Sequence, residues 1–174
     1  VQAGSGTSGS QDVGTLTAGG TPNTPGEITL TINNNSETSG SFIIESKITD
    51  NGTGPVTFVK TGPGPMKLDG HNTFSGGLYL LQGRLQFAGT ETGTGNPDGG
   101  GTGPIYVYPG AEFFPSGVGT GIITNNIFLS GNGVSNNVGA IRMGTASPII
   151  SGGVITLIGD AQIGGGGAGP TEGG

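Results

Sequence analysis

Cysteine is absent from the 174 residues. That excludes disulfides and thiolate metal sites. Tryptophan is absent too, and there is a single histidine, His71. A lone imidazole with no cysteine beside it makes a poor metal site, so His71 reads as a surface-turn residue. Charge is scarce: 9% of residues are charged, and only 5 are Lys or Arg, against a net charge of −6. So few cations exclude a nucleic-acid groove, which neutralises phosphates with Lys and Arg. They also disfavour an anionic membrane surface. No apolar run reaches the ~18 residues of a membrane-spanning helix, so no membrane insertion is expected. No signal peptide is legible, and the chain starting at Val1 is expected to be a processed or excised piece.

Glycine is abundant, with 41 residues, and proline adds 11. That level can mark a disordered chain. Here Leu, Ile, Val and Phe still make up roughly 23%, above the ~20% floor for disorder, and they cluster in short runs. The run ITLTI (28–32) alternates Ile28, Leu30 and Ile32 with Thr29 and Thr31, the period of a strand with one buried face. SFIIESKIT, PVTFVK, GLYLLQ, GRLQFAG, PIYVYPG, NNIFLSG and VITLIGD follow in the same manner. Helix is excluded throughout, because Gly or Pro interrupts every helical window and an interior Gly costs about 1 kcal/mol.

Strands of three to five residues, broken this often, suit a β-solenoid better than a sandwich. Its chain coils in rungs of roughly 20 residues whose short strands stack in parallel. Glycine suits the corners, which need positive φ. The repeated starts Gly54-Pro55-Val56, Gly64-Pro65-Met66 and Gly103-Pro104-Ile105 fit a repeated geometry. The expected fold is therefore an all-β parallel β-helix without α-helix. Its divisions are an N-terminal arm at 1–27, a solenoid at 28–165 and a Gly-rich tail at 166–174. Within the arm, Val13 and Leu16 form the one pair able to start a strand and could be donated to a neighbour's edge.

The stretch KTGPGPMKLDGHNTFSGGLYLLQGRLQFAG (60–89) resembles the autotransporter-associated β-strand repeat, also called the passenger-associated transport repeat. Lys60, Thr61, Gly62, Gly64, Leu68, Gly70, Asn72, Thr73, Phe74, Gly76, Gly77, Gly83 and Leu85 carry the pattern. Pro63, Pro65, Leu78 and the insertion 89–103 depart from it. The resemblance implies a parallel β-helix exported by bacteria to the cell surface.

No nucleophile elbow or Ser-His-Asp set is legible. Glu45, Asp50, Asp69, Glu91, Asp98, Glu112 and Asp160 are thinly spread, and Arg84 and Arg142 are the only arginines. A polysaccharide-cleaving carboxylate pair is the weakest of the functional readings. NPDGGGTG (96–103) reads as a Gly-rich surface loop, with a calcium site as its weaker alternative, since such sites need stacked copies. No cofactor is expected. Asn72 is assigned a structural role at a solenoid corner.

Alternation turns Leu78, Leu80, Ile105 and Val107 inward and Tyr79, Leu81, Tyr106 and Tyr108 outward, with Phe114 and Phe128 as further outward aromatics. These tyrosines are candidate contacts for glycans or a protein surface. The expected function is a non-catalytic extracellular fibre subunit or segment. Its partners would be other copies, assembled head-to-tail or by strand addition, or the rest of a longer passenger chain. The alternative is a glycan-binding adhesin segment acting through Tyr79, Tyr106 and Tyr108.

Overall fold

The computed structural model describes residues 14–33, 42–87, 97–115, 122–134, 138–143, 149–150 and 152–165. The strands are β1 (Thr15–Leu16), β2 (Gly26–Thr31), β3 (Phe42–Ile44), β4 (Lys47–Ile48), β5 (Val56–Thr61) and β6 (Met66–Leu68). They continue with β7 (Leu78–Leu80), β8 (Gly83–Phe87), β9 (Ile105–Val107), β10 (Ala111–Phe114) and β11 (Ile122–Ile123). The last are β12 (Ile127–Gly131), β13 (Ile141–Met143), β14 (Ile149–Ile150), β15 (Ile155–Ala161) and β16 (Ile163–Gly165). One 3₁₀ turn spans Pro97–Gly100, and the described residues contain no α-helix.

Two six-stranded sheets carry the fold. One runs β2-β5-β7-β9-β12-β15 and the other β3-β6-β8-β10-β13-β16. Every pairing between these strands is parallel. Each turn of the chain adds one strand to each sheet, which is a parallel β-solenoid. The two-stranded pairs β1-β4 and β11-β14 lie outside the main sheets.

Alternation within each strand becomes a column between strands. In the first sheet, Ile28, Phe58, Leu78, Ile105, Ile127 and Ile155 stand in register. In the second, Phe42, Met66, Leu85, Phe113, Ile141 and Ile163 do the same. Residues from both sheets form one core cluster, in which Phe58, Leu78, Leu85, Phe113 and Ile127 are fully buried. Burying each such side chain is worth about 1.5–3 kcal/mol. Phe74, at a corner outside the strands, fills the core beside Phe58 with ring centroids 6.1 Å apart.

Three expectations are corrected. The N-terminal arm is folded from residue 14 onward: β1 pairs with β4, and β2 begins at Gly26, inside the expected arm. Its backbone can be spared for strands because Asn23, at φ 65°, reverses the chain there; asparagine is among the few non-glycine residues that visit this region. Second, the described part of that loop, PDGGGTG (97–103), is not a plain surface loop. Gly99, Gly100 and Gly101 are buried against Phe87 and Phe74, where side chains would collide with the rings. Third, the rungs are uneven. Twenty residues separate Phe58 from its partner Leu78, but thirty separate Ile28 from Phe58. Connections of different length are inserted between the stacked strands, and the β12–β15 pairing itself shifts register between Leu129 and Gly131.

Candidate interaction surfaces

Parallel stacking spaces neighbouring strands about 4.8 Å apart. Identical outward positions must then stack at that distance. Tyr79 pairs in register with Tyr106, and Tyr106 with Phe128. Their rings lie 4.6 Å and 4.7 Å apart at interplanar angles of 13° and 12°. Aromatic pairs of this kind add about 0.5–1.5 kcal/mol beyond burial. The structure thus brings together two of the three candidate tyrosines and adds Phe128. Tyr108 is half-buried and lies outside the stack. Burial, and then the neighbouring Tyr106 and Tyr108, push the Tyr79 hydroxyl pKa up.

The outer face of the second sheet carries a charged cluster. Glu112 on β10 is in register with Arg84 on β8, and its Oε1 lies 3.1 Å from Arg84 Nε and 3.8 Å from Arg142 Nη1. Both guanidiniums sit over Phe114, 5.7 Å and 5.0 Å from the ring centre. Glu112 is fully buried. Sequence reading missed this cluster, because its members are about thirty residues apart.

Other polar side chains hold the corners. Asn72 is buried; its Oδ1 accepts the Ile48 N–H at 2.8 Å and its Nδ2 donates to the Gly99 carbonyl at 2.8 Å. It therefore ties three consecutive turns of chain. Asn125 repeats the device, donating to the carbonyls of Gly101 and Gly103. Asp50 accepts from the backbone N–H of Val56 and Ser75 and from the Ser75 hydroxyl. Burial alone would raise its carboxyl pKa, but these bonds outweigh burial and lower it. Asp69 is buried and pushed up by desolvation and then by Glu45. His71 is half-buried beside it in the same turn. Among the described residues no group of three or more His, Cys, Asp or Glu could hold a metal ion.

Lys60 is the least expected. It shares the parity of Val56 and Phe58, points inward and is fully buried. Its Nζ donates to the carbonyls of Gly62 at 2.6 Å and Gln82 at 2.7 Å. Burial lowers its pKa to about 8 from 10.5. The unfolded chain then binds more protons than the folded one between these values, so stability rises as pH climbs through that window. Urea titrations at pH 7 and pH 9.5 should differ by about 2 kcal/mol in favour of the higher pH. In Lys60→Met that gain should vanish.

Leu16 lies in β1, paired with Ile48 of the same chain. This strand is used in cis, which corrects its assignment as a donated strand; Val13 lies outside the described residues. The ends of the stack differ from its middle. In β15, Ile155 is 39% and Leu157 56% exposed, although their register partners Ile127 and Leu129 are fully buried. Ile163 of β16 is 58% exposed over a buried Ile141. Among the described residues no helix is long and apolar enough to cross a membrane.

Comparison with protein-family models, with curated proteins and with solved structures finds no match.

Proposed function

We propose that this chain is a non-catalytic structural solenoid of the bacterial cell surface, a subunit or segment of an extracellular fibre that grows end to end. One observation carries the reading. The last described rung presents Ile155, Leu157 and Ile163 in core register with nothing described above them. A further rung covers such a surface well, since it supplies both apolar side chains and ladder hydrogen bonds. At the other end, Ile28, Leu30 and Phe42 are only half-buried. Joining unlike ends is a heterologous contact that does not close on itself, so it propagates as a filament. The resemblance of residues 60–89 to the autotransporter-associated repeat supports export and a surface location.

The test is Leu157→Asp. Its side chain stands more than half exposed, so the isolated fold should hold, while a carboxylate at a buried joint costs several kcal/mol. Wild-type protein is expected to sediment as concentration-dependent oligomers and the variant as a monomer. A wild type that stays monomeric at high concentration would overturn end-to-end self-assembly.

A further inference from the structure

The aromatic stack begins abruptly. Toward the N-terminal end, the position below Tyr79 is Val59 and the one below that is Thr29, in strict register. Both side chains are too small to cover the Tyr79 ring, so one face of the ladder is left over a notch. The notch has a volume of ≈ 580 Å³ and is lined by Glu27, Thr29, Thr57, Val59, Tyr79 and Leu81. Two short rungs make a ledge about 9–10 Å deep along the solenoid axis.

We infer that this notch is a saccharide-binding site that takes a neutral, equatorially linked pyranose chain, one sugar ring occupying the place of the missing aromatic. Three features converge on that chemistry. The floor is a flat ring face, Tyr79, whose other face is already braced by Tyr106 at 4.6 Å. An equatorially substituted pyranose presents a flat C–H face of matching size, and aromatic rings are amphipathic platforms for such contacts. The walls are apolar, Val59 and Leu81. The rim carries hydroxyl and carboxylate groups, and the Thr29 hydroxyl donates to Glu27 Oε1 at 2.6 Å, holding that carboxylate on the rim. A carboxylate accepts from sugar hydroxyls in charge-assisted bonds. Charge sets the class: among the described residues the lining contains an acid and no base, and the whole chain carries −6. Uronic and sulfated sugars are therefore repelled.

The site does not depend on end-to-end assembly, because β2, β5, β7 and the Leu81 that follows β7 build it within one chain. The test exploits the lack of tryptophan, which leaves the fluorescence of the 3 tyrosines unobscured. Cello- and chito-oligosaccharides are titrated into wild-type protein and into the monomeric Leu157→Asp variant, with oligogalacturonate as the acidic counterpart. Both proteins should show saturable tyrosine quenching with the neutral oligosaccharides and none with the acidic one. Tyr79→Ala should weaken binding at least ten-fold. Val59→Phe provides the control that keeps every aromatic in place: it fills the vacant rung, extends the stack and should abolish binding with the fold intact by circular dichroism. Absence of quenching by any neutral oligosaccharide, stronger binding of oligogalacturonate, or undiminished binding by Val59→Phe overturns the assignment.

Discussion

Gly83→Val is expected to remove most of the stability of the domain, by more than about 4 kcal/mol in urea titration. Gly83 opens β8 at φ +75°. A β-branched residue is strained there by about 1–3 kcal/mol. Space compounds the strain. A Cβ would lie 2.5 Å from the Gly62 carbonyl oxygen, 2.5 Å from Lys60 Nζ and 2.8 Å from the Pro63 carbonyl oxygen. Overpacking of that kind costs about 1–3 kcal/mol in its own right. It would also push the ammonium off its carbonyls, and an unsatisfied buried polar group costs about 1–3 kcal/mol. Against a total stability of about 5–15 kcal/mol, these losses together unfold much of the population. Gly110→Ala isolates the conformational part. Gly110 has φ +86° and open space within 4 Å of where a Cβ would stand, so its substitution should cost only about 1 kcal/mol. Equal losses at the two positions would refute the account of the Gly83 corner.

Side-chain direction was readable from single strands, and rung-to-rung contact was not. Leu78 and Leu80 point in and Tyr79 points out because alternation is a local property of an extended chain. The Tyr79–Tyr106–Phe128 stack depends on register between rungs, and connections of unequal length hide that register. The same holds for Arg84, Glu112 and Arg142. Asn72 sits at a corner, where its amide has backbone groups to satisfy whatever the rung length. Lys60 was readable in principle: its parity with Val56 and Phe58 puts it inside, against the usual exposure of lysine. What makes that position tenable is a pair of carbonyls from two different rungs, which no local pattern announces. Gly99–Gly101 likewise look like loop in isolation. Only the placement of Phe74 and Phe87 shows why side chains are excluded there.

Glu112→Ala is expected to cost about 3–5 kcal/mol, the usual loss when one member of a buried ion pair is removed. Glu112 is fully buried and its carboxylate faces both arginines of the chain. Without it, two guanidiniums converge on the Phe114 ring with no opposite charge between them, and their repulsion acts in a medium less polar than water. Glu112→Gln separates charge from shape: it keeps volume and an acceptor oxygen, so its loss should be smaller than that of Glu112→Ala. The decisive variant replaces the whole cluster, Arg84→Met with Glu112→Leu and Arg142→Met. A buried ion cluster recovers its desolvation cost only in part, and apolar replacements of similar volume are often neutral or stabilising. The triple variant should therefore recover most of the stability that Glu112→Ala loses, with non-additivity of more than about 1 kcal/mol across the cycle. Additive losses, with the triple variant the least stable of all, would mean that these side chains act through separate packing contacts instead of as one electrostatic unit bridging three rungs.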